Sequence, residues 1–197
     1  GIGILGYGAM LVSPWAAPIT FADPRKTAAE MVNVLTALKV DVIICVSHSG
    51  VAEDVGMATA VLGIDIIVGG HSHDALFEPI IVGETIIVQA GGNGLYLGEL
   101  ELSVSRKGKV SIRNYDTGNP FLIPIDDNIQ SSRLLSRIID RVYVEALNPI
   151  IYRLTGGIFN EILDVVAESG FDLPTGPALT ETGLGNLITD SMRAAVD

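Results

Sequence analysis

All three histidines of the chain fall within 26 positions: His48 in VSHSG, then His71 and His73 in GGHSHD. Neutral imidazole is a good ligand for Zn, Mn and Fe, so three rings in so short a span point first to metal binding. Gly50, Gly69 and Gly70 stand beside them and let the backbone turn sharply to present a ring. His71 and His73 are two residues apart, which in extended chain puts both side chains on the same side. The competing reading is of loop histidines bonded to backbone groups, and for a lone histidine it would be preferred. Three histidines are also, by number, enough for a mononuclear zinc site with an open fourth position.

What must position these rings is legible around them. Val40 to Val46 (VDVIICV) is a nearly continuous apolar run rich in β-branched residues, the pattern of a parallel strand buried on both faces. A helix is expected from about Glu53 to Leu62, stopped by Gly63, and a second buried strand from Ile64 to Val68. Strand, helix and strand with short connections form a βαβ unit, and ligands of open α/β sheets bind beyond the carboxyl ends of such strands. His48 and the His71/His73 pair each follow one of these ends, so the unit is expected to aim all three imidazoles at one place.

Upstream, Gly1 to Leu5 reads as a small strand, followed by a Gly/Ser/Pro-rich loop through Thr20. Asp23 as N-cap and Pro24 at the first position open an amphipathic helix over 24–39, with Ala28, Met31, Leu35 and Leu38 at helical spacing. Downstream, Thr85 to Gln89 is a strand, and Leu100, Leu102 and Val104 alternate with polar residues as in a half-exposed strand. Lys107-Gly108 turns it back into a hairpin partner at Val110 and Ile112. A Pro/Asn/Asp-rich crossing over 116–130 leads to a helix capped by Ser131 or Ser132, with Leu135, Ile138, Val142 and Ala146 on one face and its end near Pro149. Residues 150–180 read as a linker, and a last apolar-faced helix starts near Thr182 or Gly183 and carries Leu184, Leu187, Ile188 and Met192. A helix of that length is marginal alone, so this tail is expected to be mobile, to dock on another copy, or to lean on the 131–147 helix.

Composition narrows the class of partner. In 197 residues, 12 Lys+Arg against 23 Asp+Glu leave a net charge of -11, which disfavours nucleic acid and anionic membrane as partners. An acidic protein still acts on phosphate esters when cations supply the positive charge. Hydrophobic residues make up 48% and charged ones 18%, enough apolar surface for a packed core. Mean hydropathy is +0.45, yet no run approaches the ~18–20 apolar residues of a spanning helix. The single cysteine, Cys45, excludes an internal disulfide and a Cys-rich zinc site. The opening segment lacks a basic stretch and is rich in Gly and Pro, so it is read as mature chain rather than a signal peptide.

VDVIICVSHSG, EDVGMATAVLGIDIIVGGHSHD and VQAGGNGLYLGEL together resemble the later half of the metallophosphoesterase domain of the 5'-nucleotidase family, and ETGLGNLITDSMR resembles the entry into that family's C-terminal domain. The resemblance implies an α/β fold: a partial metallophosphoesterase-type sheet with flanking helices, an antiparallel hairpin, and a helical connector to a truncated second domain. Its domains would be 1–125, the later half of the metallophosphoesterase domain; 126–180, connector helix and linker; and 181–197, the start of the C-terminal domain. It further implies hydrolysis of nucleotides or other small phosphoesters by hydroxide activated between two divalent metal ions, Zn, Mn or similar. His48 and His71 match the histidine ligands of one metal, and His73 a position reaching the other, directly or through an outer shell. The family's Asp-x-His, bridging Asp, Asn-His pair and general-acid histidine are absent, so this chain carries about half of the site and on its own is expected to bind metal weakly and turn over phosphoesters poorly. A periplasmic, cell-surface or secreted setting also follows from the resemblance. Two rivals remain: the thiosulfohydrolase of sulfur oxidation, which has a similar GGH-x-HD word, and a non-catalytic metal-binding or interaction lobe.

Four further features have two readings each. Asp74 is either a carboxylate that orients an imidazole or a solvated loop residue. Asn93 in AGGNG lies near the site if the resemblance holds, with a turn role preferred. Gly1, Gly3 and Gly6 spell GxGxxG, but no strand precedes them and Asp23 is better explained as an N-cap than as a ribose ligand. Cys45, inside a buried strand, is expected to behave as a small hydrophobe rather than a nucleophile.

Overall fold

A computed structural model of the chain describes residues 1–8, 15, 16, 18–106, 108–165, 168 and 182–194. Much of the loop expected before Thr20, Lys107 of the expected turn, and most of the linker beyond 165 lie outside the described residues. The chain divides into two compact units, Gly1–Gln130 and Ser131–Asp197.

The first unit is α/β. Strand β1 (Ile2–Leu5) is followed by α1 (Pro24–Ala37), β2 (Ile44–His48), α2 (Val51–Ala60), β3 (Ile66–Val68), β4 (Ile80–Val82) and β5 (Thr85–Val88). These strands form a five-stranded sheet in the order β1-β2-β3-β5-β4, parallel throughout except for β4. The chain continues through β6 (Tyr96–Gly98), β7 (Leu102–Val104), β8 (Val110–Ile112), the short α3 (Asn114–Thr117) and β9 (Leu122–Pro124). The expected hairpin is β7–β8. The crossing over 116–130 holds two elements the composition hides, the end of α3 and β9, and β9 pairs antiparallel with β6.

Helix α1 starts where its cap dictates. The Asp23 carboxylate accepts from the Lys26 amide at 2.8 Å and from the Tyr7 hydroxyl at 2.7 Å, and Pro24 fills the first turn. Both Asp23 oxygens are thereby engaged. Helix α2 is entered through Gly50 at φ 88°, ψ 153°, a conformation open essentially to glycine alone.

Ile2, Cys45, Ile67 and Ile87 stand side by side in register across four strands, and each is at most 4% exposed. Ala28 and Val32 of α1 and Met57 and Ala58 of α2 complete this core. The opposite face is only partly covered, which corrects the expectation of strands buried on both faces. In β2 the burial alternates, with Ile44, Val46 and His48 exposed. Leu5 (57% exposed) and Val46 (59%) leave the β1–β2 half of this face open, whereas Ile66 and Ile86, farther across the sheet, are buried.

The second unit is helical. Ser132 caps α4 (Arg133–Arg141), which runs without a break through a π-helical stretch (Val142–Leu147) into α5 (Asn148–Leu154). The expected end near Pro149, and the expected linker from 150, are therefore both corrected. The Asn148 amide reaches back five residues to the Tyr143 carbonyl. That wide turn makes room for the Pro149 ring, which in a regular helix would collide with the carbonyl four residues back. Helix α6 (Gly183–Ala194) starts where the sequence predicts. Leu135, Ile138 and Val142 on the long helix, and Leu187, Ile188 and Met192 on α6, are all exposed. No helix among the described residues is long and apolar enough to cross a membrane.

Candidate metal centre

β2 and β3 are parallel neighbours, with Val46 opposite Val68, so His48 and the segment Gly69-Gly70-His71 leave the sheet at the same edge. The two loops are joined there, because the Gly50 amide donates to the Gly70 carbonyl at 3.0 Å and the Val51 amide to the Ser72 hydroxyl at 3.2 Å. The His48 and His71 rings meet edge to face, with centroids 5.1 Å apart and planes at 70°. Gly70 makes the approach possible: a Cβ there would stand 3.3 Å from His48 Nδ1.

His73 makes its contact elsewhere, on the turn after β5. His71 and His73 both have positive φ, 77° and 58°, so this segment is a succession of turns and not the extended chain that would put both rings on one side. Gly69 and Gly70 are needed for space and not for φ, because a Cβ would stand 2.6 Å from Asp54 Oδ2 at the first and 3.3 Å from His48 Nδ1 at the second. The His73 ring packs on the turn after β5, where a Cβ on Gly92 would be 2.7 Å from its Cγ. The ring contact is thus between His48 and His71, while His73 lies against the neighbouring turn. Asp74 holds that same turn through its backbone, its carbonyl accepting from the Gly91 amide at 2.9 Å, while its side chain is exposed. Asn93 is exposed at φ 58° between Gly91 and Gly94, which also have positive φ.

Beneath the pair lies a buried polar cluster that the sequence reading missed. Ser47, Ser49, Asp54 and Gln89 are all under 9% exposed, and Asp54 is fully enclosed. The Ser47 hydroxyl lies 2.5 Å from Asp54 Oδ1 and 2.8 Å from the Ser49 hydroxyl. Gln89 donates to the Ser72 hydroxyl at 3.0 Å. Burial pushes the Asp54 carboxyl above the usual carboxylate range, against a lowering contribution from Ser47. The available signal was helical spacing, which places Asp54 on one stripe with Met57, Ala58 and Val61.

Among the described residues, no group of three or more His, Cys, Asp or Glu side chains is placed to hold a metal ion. Two imidazoles are suitable donors for a borderline cation, so the residues present fit the histidine half of one coordination shell and not a complete binuclear centre.

No family model matches the chain. The 5'-nucleotidase of Bos taurus is 30% identical over 217 residues, covering 97% of this chain and 34% of that protein. The trifunctional nucleotide phosphoesterase of Bacillus subtilis is 30% identical over 190 residues, covering 89% of this chain and 12% of that protein. The solved 5'-nucleotidase precursor from Thermus thermophilus superimposes with a TM-score of 0.65 at 26% identity, over 88% of this chain and 35% of that one. The chain is related to the 5'-nucleotidase family. The same α/β arrangement occurs in the sulfate thiohydrolase of Thermus thermophilus, with a TM-score of 0.60 over 71% of this chain, but at 23% identity that likeness concerns the fold alone. The chain spans about a third or less of the length of these 5'-nucleotidases and of the phosphoesterase.

Proposed function

We propose that this chain is part of a metal-dependent phosphoester hydrolase acting on nucleotides, and that His48 and His71 are its contribution to one of two metal sites. The observation that carries the reading is the 5.1 Å separation of the two rings at the carboxyl ends of adjacent parallel strands. Two imidazoles bound to one tetrahedral zinc, each through a nitrogen about 2.0–2.1 Å away, have centroids about 5 Å apart, so the pair needs little rearrangement to accept a cation. When bound, such a cation supplies Lewis acidity and a hydroxide at neutral pH. His73 serves the second metal or its outer shell, and Asp74 and Asn93 flank it from the neighbouring turn. The Gly50–Gly70 backbone bond holds the two loops from which His48 and His71 project at a fixed spacing.

Nucleotides are the proposed substrate class because the relatives are named as 5'-nucleotidases and a nucleotide phosphoesterase. The proposed domain division is that of the resemblance, 1–125, 126–180 and 181–197, with an exported setting like that of the venom 5'-nucleotidase of Naja atra. The test is titration of the chain and of its His48→Ala and His71→Ala variants with Zn²⁺, followed by calorimetry. Weak binding that either substitution abolishes is expected, together with phosphate release from nucleoside monophosphates far slower than that of a whole relative. Binding that survives both substitutions, or turnover matching a whole relative, would show that the site is misassigned.

A further inference from the structure

Asp54 is in the wrong place for a residue that only supports the fold. It is fully enclosed, on the helix stripe whose other members, Met57, Ala58 and Val61, are apolar core residues. Its Oδ2 has no hydrogen-bond partner, and an unsatisfied buried acceptor is destabilising relative to an apolar side chain of the same shape. Stability alone would favour leucine here.

One of its oxygens is bonded to the residue before His48, and the other packs against the backbone two residues before His71. Oδ1 accepts from the Ser47 hydroxyl at 2.5 Å, and Ser47 is the residue before His48 on β2. Oδ2 lies 2.6 Å from where a Cβ on Gly69 would stand, two residues before His71. Gly69 is itself fixed, its amide donating to the Val88 carbonyl at 2.8 Å. Gln89 Oε1 lies 3.0 Å from that same Gly69 point, so the carboxylate and the amide crowd one face of this glycine.

We propose that Asp54 is a positioning residue that holds His48 and His71 at their mutual distance, acting through Ser47 and through the backbone at Gly69 rather than by touching either ring. The consequence for zinc affinity rests on the metal reading above; the consequence for the ring pair does not. Groups that orient the ligands of a metal without binding it are commonly worth about 10–100-fold in affinity.

The experiment is proton NMR on the full chain with nitrogen-labelled histidines, reading the His48–His71 inter-ring nuclear Overhauser effect without metal, and the Zn²⁺ concentration that half-saturates the histidine shifts. Asp54→Asn keeps the acceptor for Ser47 and the planar shape against Gly69, so it should preserve the inter-ring effect and hold the zinc midpoint within about twofold. Asp54→Leu matches the apolar surroundings but cuts both links; it should lose the inter-ring effect and raise the midpoint about tenfold. Ser47→Ala, a smaller change, serves if the leucine variant does not fold, and should move both readouts in the same direction. A purely structural role predicts the opposite order, with leucine the better replacement. Folded Leu and Ala variants that keep the wild-type inter-ring effect would overturn the proposal. A wild-type chain that shows the inter-ring effect but no zinc response would sink the metal reading and leave this one to be decided by the ring contact alone.

Discussion

Gly6 and Ser49 touch through their backbones: a Cβ on Gly6 would fall 2.7 Å from the Cα of Ser49. The third glycine of the GxGxxG word is therefore explained by packing, at the point where the end of β1 meets the loop that begins at His48. Gly6→Ala forces two strand ends apart, because the obstacle is main chain and cannot rotate away. A loss of about 1–3 kcal/mol is expected, read as a lower urea midpoint with an unchanged slope; an unchanged midpoint would mean that the two ends are not held this close.

Cys45 sits in the row of isoleucines, with its thiol pushed up to about 11 by burial and, less strongly, by the nearby Asp54. Folded chain should therefore resist thiol reagents at pH 8 and react only as fast as it opens. The sign for stability follows from a folded pKa above the unfolded one: the contribution is complete below about pH 8.5 and is lost as pH rises toward 11. Cys45→Ala should unfold with a flatter dependence across that window, and an equal fall for both proteins would show that another group titrates.

Asn114 is 2% exposed and ties three points of the chain together: it accepts from the Glu101 amide at 2.8 Å and donates to the carbonyls of Glu99 and Asn119 at 3.0 and 3.4 Å. Asn114→Ala leaves these groups without partners, at about 2–4 kcal/mol. Hydrogen exchange should show the Glu101 amide opening much faster while those of β2 keep their protection. Uniform loss of protection would mean that the segment and the sheet open as one.

Asp54 also predicts a pH signature. A carboxyl whose folded pKa is raised stabilises as the neutral acid, fully below about pH 4, and that contribution is lost as pH rises through the folded value. Asp54→Asn lacks this term, so its stability relative to wild type should climb from about pH 4 upward and then level. A constant difference over that range would show that the buried carboxyl does not change its charge there.

Much of the frame was legible because its signals are local. Asp23 followed by Pro24 marks a helix start whatever lies around it, and the β-branched run before His48 marks a strand. What escaped depended on partners distant in sequence or on special backbone. β9 has three residues and includes Pro124, so only its pairing with Tyr96–Gly98 makes it a strand. Pro149 reads as a stop unless the preceding turn is known to be π-helical. The direction of His73 could not follow from its spacing to His71, since two positive φ values cancel the alternation on which that argument relies. Asp54 was hidden by its type, a carboxylate being expected at the surface unless something pairs with it.

The open half of the sheet also bears on how the chain behaves in solution. Among the described residues β1 is an edge strand, and Leu5 and Val46 stand exposed beside it. An exposed edge beside an apolar strip is the kind of surface on which copies of a chain can add strand to strand. What opposes this is the net charge of -11, whose repulsion reaches across a Debye length of about 10 Å at 0.1 M salt and about 3 Å at 1 M. Light scattering from this chain is therefore expected to stay low in dilute buffer and to rise with added salt, as the repulsion is screened.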